Sequence, residues 1–130
     1  MSISGTRRKG RPAILVAEGN EATRALCIDY LARAGFDAVG TAVAAEAMAS
    51  LRTGAWSVVV LDLELEALDL AELARVAASG VGALVLTCRT FARLPRPFSD
   101  AECVLKPCLP SSIVAAVMRA LSHAARDGTR

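Results

Sequence analysis

Apolar residues along this chain follow two patterns in turn: short unbroken runs, and longer stretches where they recur every three or four positions. The first run, Ala13-Ile14-Leu15-Val16-Ala17, breaks at Glu18-Gly19-Asn20. Such a run predicts a strand buried on both faces, as in parallel sheets. Asn20 offers a cap for a helix over Glu21 to Ala34, where Ala22, Leu26, Tyr30 or Leu31, and Ala34 recur near helical spacing before Gly35 ends it. Asp37 to Thr41 is a second, weaker strand. Ala44 to Arg52 is a second helix, with Ala44, Ala47, Met48 and Leu51 on one side and Gly54 at its close.

The strongest run, Val58-Val59-Val60-Leu61, leads straight into Asp62. A third helix is expected over about Leu70 to Ala78, and Ala83-Leu84-Val85-Leu86 is a fourth buried strand ending at Thr87. Between Arg89 and Asp100, Pro95 and Pro97 each remove a donor and disfavour helix, so a fourth helix there is expected to be truncated or replaced by a loop. Cys103-Val104-Leu105 is a short fifth strand ending at Lys106-Pro107. Ser111 to Ala125 is a last helix with Ile113, Val114, Val117, Leu121 and Ala124 on its inner face.

Strands alternating with helices imply right-handed βαβ crossovers and an open parallel sheet between two helix layers. The 130 residues are one domain's worth, organised as a flexible basic leader over 1–12, a folded unit over 13–126 and a tail over 127–130. Net charge is +2, but Arg7, Arg8, Lys9 and Arg11 cluster in the leader, and without them the rest carries −2. The folded part is therefore not basic, and nucleic acid is not the expected partner. No apolar run is long enough to span a bilayer, and the leader lacks the apolar core and cleavage site of an export signal. Cys27, Cys88, Cys103 and Cys108 form neither a CxxC pair nor a disulfide framework, which points to reduced thiols in the cytoplasm. His123 is the only histidine, so a Cys/His metal site is not expected.

Ligands of open parallel sheets bind at the carboxyl ends of the strands. The residues there are Glu18, Asp62, Thr87 and Lys106. An acid pair, a hydroxyl and an ammonium at one rim suit phosphoryl transfer to a carboxylate: Asp62 as nucleophile, acidic oxygens around a divalent cation, and donors from Thr87 and Lys106 for the phosphoryl oxygens.

The segments ILVAEGN, VVVLDLEL, LVLTC and VLKP, in this order and strand context, resemble the sequence blocks of response-regulator receiver domains of two-component signalling. The resemblance covers about Ile14 to Ala125. It implies a flavodoxin-like, doubly wound (βα)5 fold, in which this chain's short span from Asp62 to Thr87 predicts a shortened third helix. It also implies a phosphoacceptor aspartate that uses Mg2+, and a phosphoryl donor that is a histidine kinase or a histidine phosphotransfer protein. Asp62 matches the phosphoacceptor, Glu18 the first of the acidic pair, Thr87 the switch hydroxyl, and Lys106 the lysine before proline.

Several positions depart from the family pattern. Gly19 falls where the second acidic residue usually stands, so Mg2+ would be held weakly or not at all by Glu18, Asp62 and Glu64, the last through its backbone carbonyl or its carboxylate. Glu66-Ala67 replaces a usual Pro-Gly turn, and Cys103 replaces an aromatic that couples the site to the surface. Asp62 to Thr87 and Thr87 to Lys106 span 25 and 19 positions, both short for the family.

The leading expectation is a single-domain response regulator, not an enzyme, phosphorylated on Asp62 and acting on an unknown downstream protein, unless the sequence is part of a longer chain. A homodimer is left open. The alternative is a degenerate receiver that binds partners without phosphorylation. A third reading, an aspartate-nucleophile phosphatase prompted by Asp62-Leu63-Glu64, lacks a cap domain. A flavin-binding flavodoxin is less expected still, because no Ser/Thr/Gly-rich phosphate loop follows the first strand of this chain. Arg89, Arg93 and Arg96 could draw an acidic partner or a phosphate to the rim.

Overall fold

The computed structural model describes residues 10–78, 83–89 and 101–128, without the side chains of 125–128. The elements run β1 (Ala13–Ala17), α1 (Glu21–Arg33), β2 (Asp37–Thr41), α2 (Ala44–Thr53), β3 (Val58–Asp62), α3 (Leu70–Ala78), β4 (Ala83–Cys88), β5 (Glu102–Leu105) and α4 (Pro110–Gly128). The strands form one sheet of order β2-β1-β3-β4-β5, every pair parallel. This is the flavodoxin-like doubly wound arrangement, whose strand order reverses between β1 and β3. The leader through Lys9, Gly80, Gly82 and the proline-bearing stretch 90–100 lie outside the described residues.

Alternation along each strand sorts the core into two layers. Ile14, Val16, Val58, Val60, Val85 and Val104 pack with Cys27 and Leu31 of α1 and with Ile113, Ala116, Val117 and Ala120 of α4. Leu15, Ala17, Val39, Val59, Leu61 and Leu86 pack with Ala47, Met48 and Leu51 of α2 and Leu73 of α3 on the other face. Burial on both faces is why these strands read as unbroken apolar runs.

Two helix faces differ from expectation. On α1, of the expected Tyr30 or Leu31 it is Leu31 that is buried, and Cys27 joins it where Leu26 is exposed. Arg24 and Ile28 are half-buried on the sheet side, and the apolar stem of Arg24 covers Gly40 beside Ile28 Cδ1. On α4, Ala116 and Ala120 complete the inner face with Ile113 and Val117, and the helix continues past Ala125 to Gly128.

The helix starts follow their side-chain caps. Asn20 Oδ1 accepts the Thr23 N–H at 2.9 Å, and Asp69 Oδ1 accepts those of Ala71 and Glu72 at 3.0 and 3.1 Å. Val43, at the start of α2, has no side chain for this role. Thr41 supplies it, its hydroxyl accepting from the Val43 N–H at 3.1 Å and donating to Glu46 Oε1 at 2.8 Å. Among the described residues no helix is long and apolar enough to cross a membrane.

Candidate functional site

The two-residue alternation that places Ile14 and Val16, Val58 and Val60, Val85, and Val104 on the α1/α4 face runs on, at the carboxyl ends, to Glu18, Asp62, Thr87 and Lys106. One core layer of the sheet thus ends in four polar residues. Glu18 and Asp62 end the two strands flanking the point where the strand order reverses. Asp62 and Thr87 are direct partners in the β3/β4 ladder, and the Leu63 N–H donates to the Thr87 carbonyl at 2.9 Å.

Three of the four meet directly. Lys106 Nζ lies 2.7 Å from Glu18 Oε1 and 3.1 Å from Asp62 Oδ2. Both carboxylate side chains are 8% exposed and the lysine side chain 21%. Burial works against the Lys106 ammonium, but its hydrogen bonds to Glu18 and Asp62 outweigh that, and its pKa stands above the ordinary lysine value. The remaining carboxylate oxygens accept backbone donors: Glu18 Oε2 the Asn20 N–H at 3.0 Å, and Asp62 Oδ1 the Glu64 N–H at 2.9 Å. Each acid therefore closes the loop that follows its own strand and is tied to the other through one ammonium.

Glu64 contributes its backbone N–H to the site, while its carboxylate faces elsewhere. Oε2 accepts the Arg89 N–H at 3.3 Å and Oε1 lies 3.3 Å from Arg89 Nε, in a pair exposed by 45% and 79%. This ties the loop after β3 to the residue after β4. Of the arginine cluster, Arg93 and Arg96 lie outside the described residues.

Arg24 escaped the sequence reading. Its Nη1 donates to the Glu18 carbonyl at 2.8 Å, after its stem crosses β2 over Gly40. A glycine inside a strand is the signal that could have found it, because such a glycine often marks the close approach of another group. Ala67, in the loop where Glu66-Ala67 replaces the usual turn, has φ +64°, the left-handed conformation that favours glycine. Cys103 is half-buried, and its Sγ lies 3.6 Å from the Ala101 carbonyl.

Magnesium asks for about six oxygens in near-octahedral array. Here each oxygen of Glu18 and Asp62 already accepts a donor from the protein, and Glu64 turns its carboxylate to Arg89. Among the described residues no buried side-chain nitrogen or oxygen lacks a partner, and no three His, Cys, Asp or Glu side chains group to hold a metal ion. The residues present do not fit the divalent cation that the resemblance implied.

No family model matches the sequence. No curated protein matches it either. Solved structures do match. A signal receiver domain from Vibrio parahaemolyticus superposes with TM-score 0.78 at 18% identity, over 92% of this chain and 96% of its own. A response regulator receiver protein from Sinorhizobium medicae gives TM-score 0.72 at 23% identity, over 88% and 98%. A CheY-like receiver domain protein from Methanospirillum hungatei gives 0.73 at 15%, over 91% and 99%. The chain has the receiver-domain fold. In this receiver fold the ladder pair Asp62 and Thr87, with Glu18 and Lys106 beside it, occupies the rim at the strand ends where the order reverses.

Proposed function

We propose that this chain is a receiver-fold signalling module of the two-component type that works by contact with other proteins, its rim held by the Glu18–Lys106–Asp62 triad rather than remodelled by phosphoryl transfer. One observation carries this reading: Lys106 Nζ bridges both acids, at 2.7 and 3.1 Å, where Gly19 supplies no third carboxylate. An acid pair that shares a resident ammonium, with its remaining oxygens met by the Asn20 and Glu64 N–H groups, has its hydrogen-bonding satisfied without a cation. Its partner is a signalling protein, its action is binding without turnover, and its four free thiols suit the reducing cytoplasm.

The second reading, acceptance of a phosphoryl group by Asp62 from a histidine kinase or histidine phosphotransfer protein, is favoured by the placement of Asp62 beside both Thr87 and Lys106. Incubation with acetyl phosphate and Mg2+, followed by a phosphate-affinity mobility gel, separates the two. The contact reading expects no shifted band. A shifted band that disappears in Asp62→Asn would replace it with the second reading.

A further inference from the structure

We infer that a groove between the starts of α2 and α3 is the docking site for the basic leader of a second copy of this chain, so that the amino end of one sheet meets the carboxyl end of another.

The groove measures about 380 Å³ and opens at the carboxyl ends of the strands, on the α2/α3 face of the sheet. It shares no residue with the Glu18–Lys106–Asp62 triad, so the contact does not depend on how that rim is used. Val43, Met48 and Ala67 give it an apolar lining, and Val43 is 41% exposed. Its edge is acidic, because Glu66, Asp69 and Glu72 line it from the loop after β3 and the first turn of α3. Glu72 is already paired with Arg52, so the charge turned outward is that of Glu66 and Asp69, both exposed.

The leader is complementary to it. Arg7, Arg8, Lys9 and Arg11 place four positive charges within five positions, while the rest of the chain carries −2. Arginine and lysine also have long apolar stems, which cover apolar surface while their charged heads reach past it. A groove with an apolar floor and a carboxylate edge fits side chains of that build.

The leader of the same chain is badly placed for the groove. Pro12 stands at the amino end of the sheet, where its carbonyl accepts the Asp37 N–H at 2.9 Å. The five residues of β1 set that level about 16 Å from the carboxyl ends. Fully extended, the five positions from Arg7 to Arg11 span at most about 18 Å. The α2/α3 layer fills the direct path, and Lys9 and Arg11 fall short altogether. A second copy that brings its amino end to the groove has no such limit.

Sedimentation velocity of the full chain at low salt tests this. The wild type is expected to gain mass as its concentration rises, and to return to monomer near about 1 M salt, where the screening length is about 3 Å. Reversing the leader, Arg7→Glu with Arg8→Glu, should leave a monomer at every concentration, and so should Glu66→Lys, which lies outside every strand and helix. Mixed in equal amounts the two variants should pair, because the first keeps its groove and the second its leader. A fluorescein-labelled peptide of residues 1–11 should bind the leader-reversed chain, and adding Glu66→Lys to that chain should weaken binding about tenfold. A wild type that stays monomeric at low salt would overturn the inference. Association that survives either reversal would overturn it too, and would belong to another surface, such as that of the exposed Leu105 and Leu109. It would equally fall if the two variants, each with the wild-type circular dichroism, stayed apart when mixed, or if the peptide bound both chains alike.

Discussion

The aliphatic stem of Arg24 lies on the bare Cα of Gly40, and that contact lets a residue of α1 reach the carbonyl at the end of β1. A methyl group at position 40 would stand 2.9 Å from Arg24 Cγ and Cδ and 2.7 Å from Ile28 Cδ1. Gly40→Ala is therefore expected to cost about 1–3 kcal/mol, as overpacking of a filled site does. Urea unfolding measures it. In an Arg24→Ala background the same substitution should cost less, because only the clash with Ile28 remains, and a double-mutant cycle reads the coupling. Equal costs in both backgrounds would mean that Arg24 does not lie where we place it.

Lys106 carries more of the stability than an exposed lysine would. Removing one partner of a buried ion pair leaves uncompensated charge and typically costs about 3–5 kcal/mol. Lys106→Met strands two carboxylates that are each 8% exposed, so a loss in that range is expected in denaturant unfolding at neutral pH. Adding Glu18→Gln and Asp62→Asn to Lys106→Met should recover part of the loss, because the stranded charges are then gone.

The strands were legible in the sequence because burial on both faces makes them unbroken apolar runs, and the rim followed from taking the next residue after each strand. Glu18, Asp62 and Lys106 meet as that reading requires. The helix faces were less legible. Apolar spacing offers Leu26 and either Tyr30 or Leu31 on α1; the chain buries Leu31 together with Cys27, leaves Leu26 and Tyr30 exposed, and lays the stem of Arg24 on the sheet, a use of arginine that a polarity pattern hides. On α4, the small residues Ala116 and Ala120 sit fully inside where Leu121 is only half-buried, because the inner face of α4 closes on both the sheet and α1. Contacts made through backbone groups are not marked by the residue type of the backbone partner: the Glu64 N–H on Asp62 has no such mark, and Arg24 on the Glu18 carbonyl is signalled only indirectly, by Gly40.

The turn after β3 holds a correctable strain. Ala67 sits at φ +64°, where a Cβ crowds the following carbonyl at a cost of about 1–2 kcal/mol. Glycine removes the crowding but gives the unfolded chain more freedom to lose, which returns about 0.4–1 kcal/mol. Ala67→Gly is expected to stabilise the fold by about 1 kcal/mol, seen as a higher urea midpoint with unchanged slope. A lower midpoint would mean that this loop does not hold its left-handed turn.

Glu64 and Arg89 link the loops after β3 and β4 at the surface, and their pair is exposed on both sides. Exposed pairs are worth about 0–1 kcal/mol and fade with salt. Arg89→Ala should accordingly shift stability by less than about 1 kcal/mol, and by less still in high salt. A larger loss that salt does not reduce would mean that Arg89 serves the fold through packing instead of charge.

Alkaline pH probes the buried side of the rim. Cys27 is pushed up from 9.0 to about 11, first by burial, then by Cys108 and Glu18, with Lys106 acting in the opposite direction. A thiol whose folded pKa is raised keeps its proton in the native state while the unfolded chain gives it up. The stabilisation is whole below pH 9.0 and drains away as the pH climbs towards 11. Lys106, also raised, holds its contribution up to the ordinary lysine value and loses it above that, as its ammonium deprotonates against Glu18 and Asp62. Wild-type stability is thus expected to fall in two overlapping stages on the alkaline side. Cys27→Ala should flatten the earlier stage, and Lys106→Met the later one. Unfolding free energies measured from pH 8 through 11 read both, and the difference in ultraviolet thiolate absorbance between wild type and Cys27→Ala follows Cys27 among the four free thiols. A wild-type curve flat over that range would mean that neither group is held as described.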